Sequence, residues 1–275
     1  MSTEQGQAGA GTEFVVRPDG TVVGSDGAAG ALAAALPYTG RLARRMGELV
    51  GIGDLRGMEG LGRRRLAVTV TWTPAGEGTY RATVHRVEER VVPHFTVVGA
   101  VDTAAAVDHC LGRLMTVDGV EWSTVVTAGS RVVAARGQRQ DLHHLAEVGN
   151  RMLAILRSLE DQHASGFMRL RFEQGAVVGA SLGRHALVAR VAATSDAELV
   201  AMIDEVRAIL AQYDLTAVQS EFDPDAAEEE PAAPGGPVEA AAPQPATPPP
   251  LVGARFAGAG ERSPRSARRR RFGGR

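Results

Sequence analysis

Two stretches decide how this chain is read: VVRPDGTVV at Val15–Val23 and VVTAGSRVV at Val125–Val133. Each is a pair of valines, a short polar turn containing glycine, and a second pair of valines. β-branched runs around a Gly-bearing turn read as a β-hairpin. The same hairpin written twice, 110 positions apart, raises the question of how far the repetition extends.

The second copy gives the clearer surroundings. Before it, Val107, Cys110, Leu111 and Leu114 recur at helical spacing and predict a helix over about 103–115. The hairpin strands read as 121–127 and 131–136. A longer helix follows over about 141–161, with Asp141 as N-cap. Its apolar positions Leu142, Leu145, Gly149, Met152, Leu156 and Leu159 advance in steps of 3, 4, 3, 4 and 3, a narrow heptad seam. Three β-like runs come next, at 167–173, 176–182 and 186–193, divided by Gln174-Gly175 and Gly183-Arg184. A last helix opens with Ser195 and Glu198 spaced as a capping box and buries Leu199, Ile203, Val206 and Leu210. The predicted order is α-β-β-α-β-β-β-α.

Shifting back by 110 places the seam on Leu32, Ala35, Thr39, Leu42, Met46 and Leu49. The strand triplet falls on 55–61, 66–72 and 79–87. The repetition therefore covers hairpin, helix and sheet. The first copy departs in two places. About eleven residues precede its first strand, too few for a leading helix, and Pro37 should start or kink its middle helix. The expected organisation is a truncated unit at 12–90, a linker at 91–102, a complete unit at 103–220 and a tail at 221–275. Val91–Gly99 reads equally as strand or linker.

The run from DGVEWSTVVTAGSRVVAAR through DLHHLAEVGNRMLAILRSL to FMRLRFEQGAVVGASLGRHALVARV resembles the roadblock/LC7 (roadblock/dynein light chain-like) family, of the bacterial type. The likeness covers 103–213 well and 12–88 weakly, and its motifs are apolar and Gly positions. It implies two α/β units of roadblock/longin-like fold, each a five-stranded, mainly antiparallel sheet with flanking helices. It also implies dimerisation, with sheets joined edge to edge and middle helices packed together. Family members regulate Ras-like GTPases or act as scaffolds without donating a catalytic residue. A tandem chain could make that pairing internally. The candidate interface residues are Leu142, Leu145, Gly149, Met152, Leu156, Leu159, Leu42, Met46 and Leu49, with Gly149 permitting close backbone approach. The seam fits equally a helix that covers its own sheet; heptad spacing does not separate the two.

The residues themselves offer no catalytic constellation. All thirty basic residues are arginine, which excludes a P-loop lysine and Schiff-base chemistry. Gly24–Gly30 and Gly51–Gly57 lack G-x-G-x-x-G spacing and read as turns. His143, His144 and Glu147 lack the further ligands that a metal site needs. The lone cysteine, Cys110, sits on an apolar helix stripe and fits a reducing, cytoplasmic setting. Neither a secretory signal nor a membrane-spanning apolar run is seen. No cofactor is expected. Arg41, Arg44 and Arg45 with Arg63, Arg64 and Arg65 could meet an acidic surface or simply form a solvated face.

After Phe222 the composition turns acidic, then Pro/Ala-rich, and predicts disorder. The tip carries Arg262, Arg265, Arg268, Arg269, Arg270 and Arg271, candidates for polyanion contact with nucleic acid or anionic lipid. The expected function is a non-enzymatic regulator or scaffold that binds a small Ras-like GTPase or related signalling protein and modulates its nucleotide turnover. The alternatives are a PAS/GAF-like small-molecule sensor and a scaffold anchored by its Arg-rich tail.

Overall fold

The β-branched and apolar runs pair into one antiparallel sheet of ten strands, in the order β2-β1-β5-β4-β3-β8-β9-β10-β6-β7. The computed structural model describes residues 11–24, 30–62, 64–86, 102–138, 141–159, 167–192 and 196–225. The N-terminal half contributes β1 (Thr12–Val16), β2 (Val22–Val23), α1 (Gly30–Val50), β3 (Leu55–Leu61), β4 (Arg64–Trp72) and β5 (Gly78–Arg86). The C-terminal half contributes α2 (Thr103–Leu114), β6 (Val120–Thr127), β7 (Val132–Gly137), α3 (Leu142–Leu159), β8 (Phe167–Phe172), β9 (Gly175–Leu182), β10 (His185–Val191) and α4 (Asp196–Leu210). Each half contributes five strands to the sheet.

Read outward from the centre, the halves run β3-β4-β5-β1-β2 and β8-β9-β10-β6-β7. Each sheet therefore meets the other through its third strand. β3 and β8 pair antiparallel, with Met58 opposite Leu170 and Gly60 opposite Met168. On one face of this sheet α1 and α3 pack against each other. A single apolar core lies beneath them and draws on both halves, from Phe14, Leu36, Met46 and Met58 to Trp122, Met152, Leu170 and Val188.

The other face differs between the halves. In the C-terminal half it is covered by α2 and α4 over a second core of Val107, Leu111, Val125, Val178, Leu187, Leu199 and Ile203. In the N-terminal half it carries Glu13, Arg65, Thr69, Thr71, Arg81 and His85, all exposed. Alternation of buried and exposed residues in β4 is what one solvated face produces.

Two readings need correction. Of the two expectations for Pro37, that it starts or kinks the helix, the start is overturned: α1 runs from Gly30 with Pro37 inside. Burial of Leu32, Ala33 and Leu36 outweighs a proline penalty of about 3 kcal/mol. In the hairpin turns the left-handed position is Gly20 in the first (φ +82°) and Ser130 in the second (φ +58°).

The tail does not start at 221. Phe222 exchanges two backbone hydrogen bonds with Val132, at 3.0 and 3.2 Å. Asp223 pairs with Arg131 at 3.0 Å and Glu221 with Arg136 at 3.2 Å. The acidity that reads as solvated is thus neutralised by arginines of β7 and the turn before it. The linker to residue 101, the Ser195 capping residue, the disorder expected after 225 and the arginines at 262–271 lie outside the described residues.

Candidate functional site

The seam of α3 is buried at Leu145, Gly149, Met152, Leu156 and Leu159, with Leu142 partly buried at its start. Gly149 lies against its own sheet: a Cβ there would collide with the side chain of Val126 on β6. Gly179 of β9 likewise makes room for Met152.

Helix α1 buries Leu32, Ala33, Leu36, Thr39, Gly40, Ala43, Met46 and Gly47. From Leu36 onward these positions match the buried set of α3 at an offset of 109 rather than 110. Leu42 and Leu49 are accordingly only partly buried at the margin of the core. The small face that the extra position reveals was missed in the sequence. A Cβ on Gly47 would stand 2.5 Å from the carbonyl of Gly53 and 2.7 Å from the ring of Phe172 on β8. Gly47, unlike Gly149, makes room for a residue of the other half, Phe172.

The junction is closed by polar contacts as well. Arg171 Nε lies 3.2 Å from Glu59 Oε1, and Arg56 pairs with Glu173. Gln174 N–H donates to the Ile52 carbonyl at 3.1 Å. These side chains are part exposed, so each ion pair contributes little alone, on the order of 0–1 kcal/mol.

The outward surface of the helix pair is polar with one large aromatic. Tyr38 is 46% exposed, and Arg41, Arg45, Glu48, His143 and His144 are exposed around it. Arg45 pairs with Glu48 at 2.7 Å. Its pKa is raised first by that hydrogen bond and charge, and further by Glu147 of α3, so charges of the two helices interact across the pair. Glu147 also takes Arg151 at 2.9 Å and lies 3.7 Å from His143 Nδ1. The His143 ring meets Phe222 edge-on at 6.1 Å. Among the described residues no group of three or more metal-ligating side chains occurs.

The arginine clusters of the sequence do not merge. Arg44 stacks on Trp72, 4.9 Å from the ring centroid, and pairs with Asp54 at 3.1 Å. Arg64 and Arg65 begin the strand that Trp72 ends, a separation of about 27 Å at roughly 3.4 Å per residue. Cys110 is fully buried, and burial pushes its thiol up to about 11, the opposite of an activated nucleophile.

No protein-family model matches the chain, and no curated protein matches it. Among solved structures it is similar to Myxococcus xanthus MglB at 17% identity, with 42% of this chain and 92% of that chain covered and a TM-score of 0.37. It is also similar to a Roadblock/LC7 domain from Streptomyces avermitilis, at 13% identity, 39% and 92% coverage and a TM-score of 0.33. A third likeness is to MglB with tetrameric arrangement, at 19% identity, 44% and 96% coverage and a TM-score of 0.34. No helix among the described residues is long and apolar enough to cross a membrane.

Proposed function

We propose that this chain is a non-enzymatic, cytoplasmic regulator or scaffold that binds a small Ras-like GTPase or a related signalling protein and modulates its nucleotide turnover. The observation that carries the reading is the internal pairing of the two units. A ten-stranded sheet backs a pair of adjoining helices, α1 and α3, the arrangement that the roadblock resemblance implies for two separate chains. A single chain that carries its own pair presents one preassembled platform. Tyr38 and the charged groups Arg41, Arg45, Glu48 and Glu147 supply the aromatic anchor and polar rim typical of protein interfaces. An effect on hydrolysis would come from biasing the partner's loops between conformations. Further self-association would use the outward helix surface or the sheet edge at β2, because the β7 edge is occupied by Phe222 and Glu221. The Arg-rich tip would add polyanion contact.

Affinity capture from the native host's lysate, with GDP or a non-hydrolysable GTP analogue present, tests this. Enrichment of a Ras-like GTPase with one nucleotide, lost on Tyr38→Ala, is the expected result. Recovery of only nucleic acid, membrane or structural proteins would move the function to a scaffold.

A further inference from the structure

Of the described histidines only His185 is buried, at 5% exposed. Its ring nitrogens make no hydrogen bond among the described residues, yet they keep accessible surface, unlike the enclosed indole N–H of Trp122. His185 lines two adjoining cavities, of about 470 and about 300 Å³, which share Arg184, Leu215 and Thr216. The larger is within the range of small-molecule sites, roughly 300–1,000 Å³, and it is also lined by Asp214.

This larger cavity carries opposite charges that do not meet. Arg184 sits in the two-residue β9–β10 turn, across which His185 faces Leu182, and it pairs with no acid among the described residues. The other guanidinium on the cavity wall, Arg207, is engaged: its Nε donates to the Ser181 carbonyl at 3.2 Å and its Nη1 lies 3.9 Å from Asp204. Asp214 accepts the Thr216 N–H at 3.0 Å and the Thr216 hydroxyl at 2.6 Å, both on Oδ1. Its Oδ2 has no cation among the described residues. Burial lowers the His185 pKa most, Asp214 opposes that and Arg184 adds to it, so both charges lie within reach of the ring. We propose that this cavity binds an aliphatic α-amino acid as its zwitterion. The carboxylate pairs with Arg184 and accepts a hydrogen bond from the His185 imidazole. The ammonium pairs with Asp214, and the side chain lies on the half-buried Leu182 and Tyr213. A ligand with both charges complements both poles of the cavity, whereas a carboxylate or an amine alone satisfies one. Leu210 and Ala211 at the carboxyl end of α4 line the same cavity, and the negative partial charge of a helix end there favours the ammonium.

The inference is independent of the regulator reading, because its test needs no partner protein. The full-length chain with ¹⁵N-labelled histidine is titrated with L-leucine at constant pH, and the other histidines are internal references. Leucine without its ammonium is 4-methylpentanoate, and leucine without its carboxylate is 3-methylbutylamine. A saturable shift of the His185 resonances alone is expected, with each single-charge analogue binding about tenfold more weakly. Arg184→Gln should weaken leucine by a similar factor and leave the amine unchanged. Asp214→Asn should weaken leucine likewise and leave the carboxylate unchanged, because asparagine can still accept from Thr216 and cap the turn Leu215–Ala217. The proposal is overturned if leucine gives no saturable shift, if all histidines move together, if either analogue binds as tightly as leucine, or if either folded variant binds leucine as the parent does.

Discussion

The two halves share a strand order but not a degree of cover. β9 and β10 are buried almost throughout and feed two cores, one under α3 and one under α2 and α4. β4 and β5 bury one face only, and their other face carries threonine, arginine and histidine. A sheet with one core buries less apolar surface per strand, and apolar burial contributes about 25 cal/mol per Å². The N-terminal half therefore leans on its neighbour, through the β3–β8 ladder and the shared core beneath α1 and α3. The C-terminal half has a second core of its own to fall back on.

The hardest test of that asymmetry places a charge at the junction. Met58 and Leu170 lie opposite each other and are fully buried. Met58→Asp puts a carboxylate there with no partner, a cost of several kcal/mol. Hydrogen exchange should show β1, β4 and β5 losing protection while β10, α2 and α4 keep theirs. Equal loss in both halves would mean that the ten strands unfold as one unit and that the second core confers no independence.

A smaller effect compares glycines. Gly47→Ala drives a methyl into the Gly53 carbonyl and the Phe172 ring, neither of which can retreat cheaply. Gly179→Ala meets only the flexible side chain of Met152, which can change rotamer. Gly47→Ala should cost about 2 kcal/mol in urea unfolding, within the usual range for overpacking, and Gly179→Ala less than half of that. The reverse order would place the tighter packing at Met152 in the C-terminal half instead of where α1 meets Gly53 and Phe172.

These particulars also mark what the sequence made legible. The two hairpins, the heptad run of α3 and the capped helices fixed element order, because each depends on spacing within a few residues. The contrast in cover was written too: VTVTW alternates, whereas AVVGA and ALVA do not, which is how one covered face differs from two. What spacing could not supply was rotation. A one-residue difference in offset turns a helix face by about 100°, and only packing against the sheet shows that Gly40, Ala43 and Gly47, not Leu42 and Leu49, face inward. The strap Glu221–Asp225 escaped for a related reason. Its acidity suits solvent until Arg131 and Arg136 are brought beside it by β7, about ninety residues earlier in the chain.

The mildest prediction concerns pH and again separates the halves. His185 at the start of β10 is 5% exposed, and the N-terminal half buries no histidine among its described residues. Burial lowers its pKa below the ordinary 6.5, opposed by the nearby Asp214 and reinforced by Arg184. A base whose folded pKa is depressed binds fewer protons folded than unfolded below that value, so stability rises with pH. The contribution is complete above about 6.5 and is lost as pH falls from there through the folded pKa. Stability measured by urea unfolding should therefore decline modestly between neutral and mildly acidic pH, and His185→Gln should flatten that decline. Exchange protection should fall first in β10 and in the residues around Asp214. If protection instead falls first in β4 and β5, the acid-sensitive element belongs to the singly covered sheet, and His185 is a bystander.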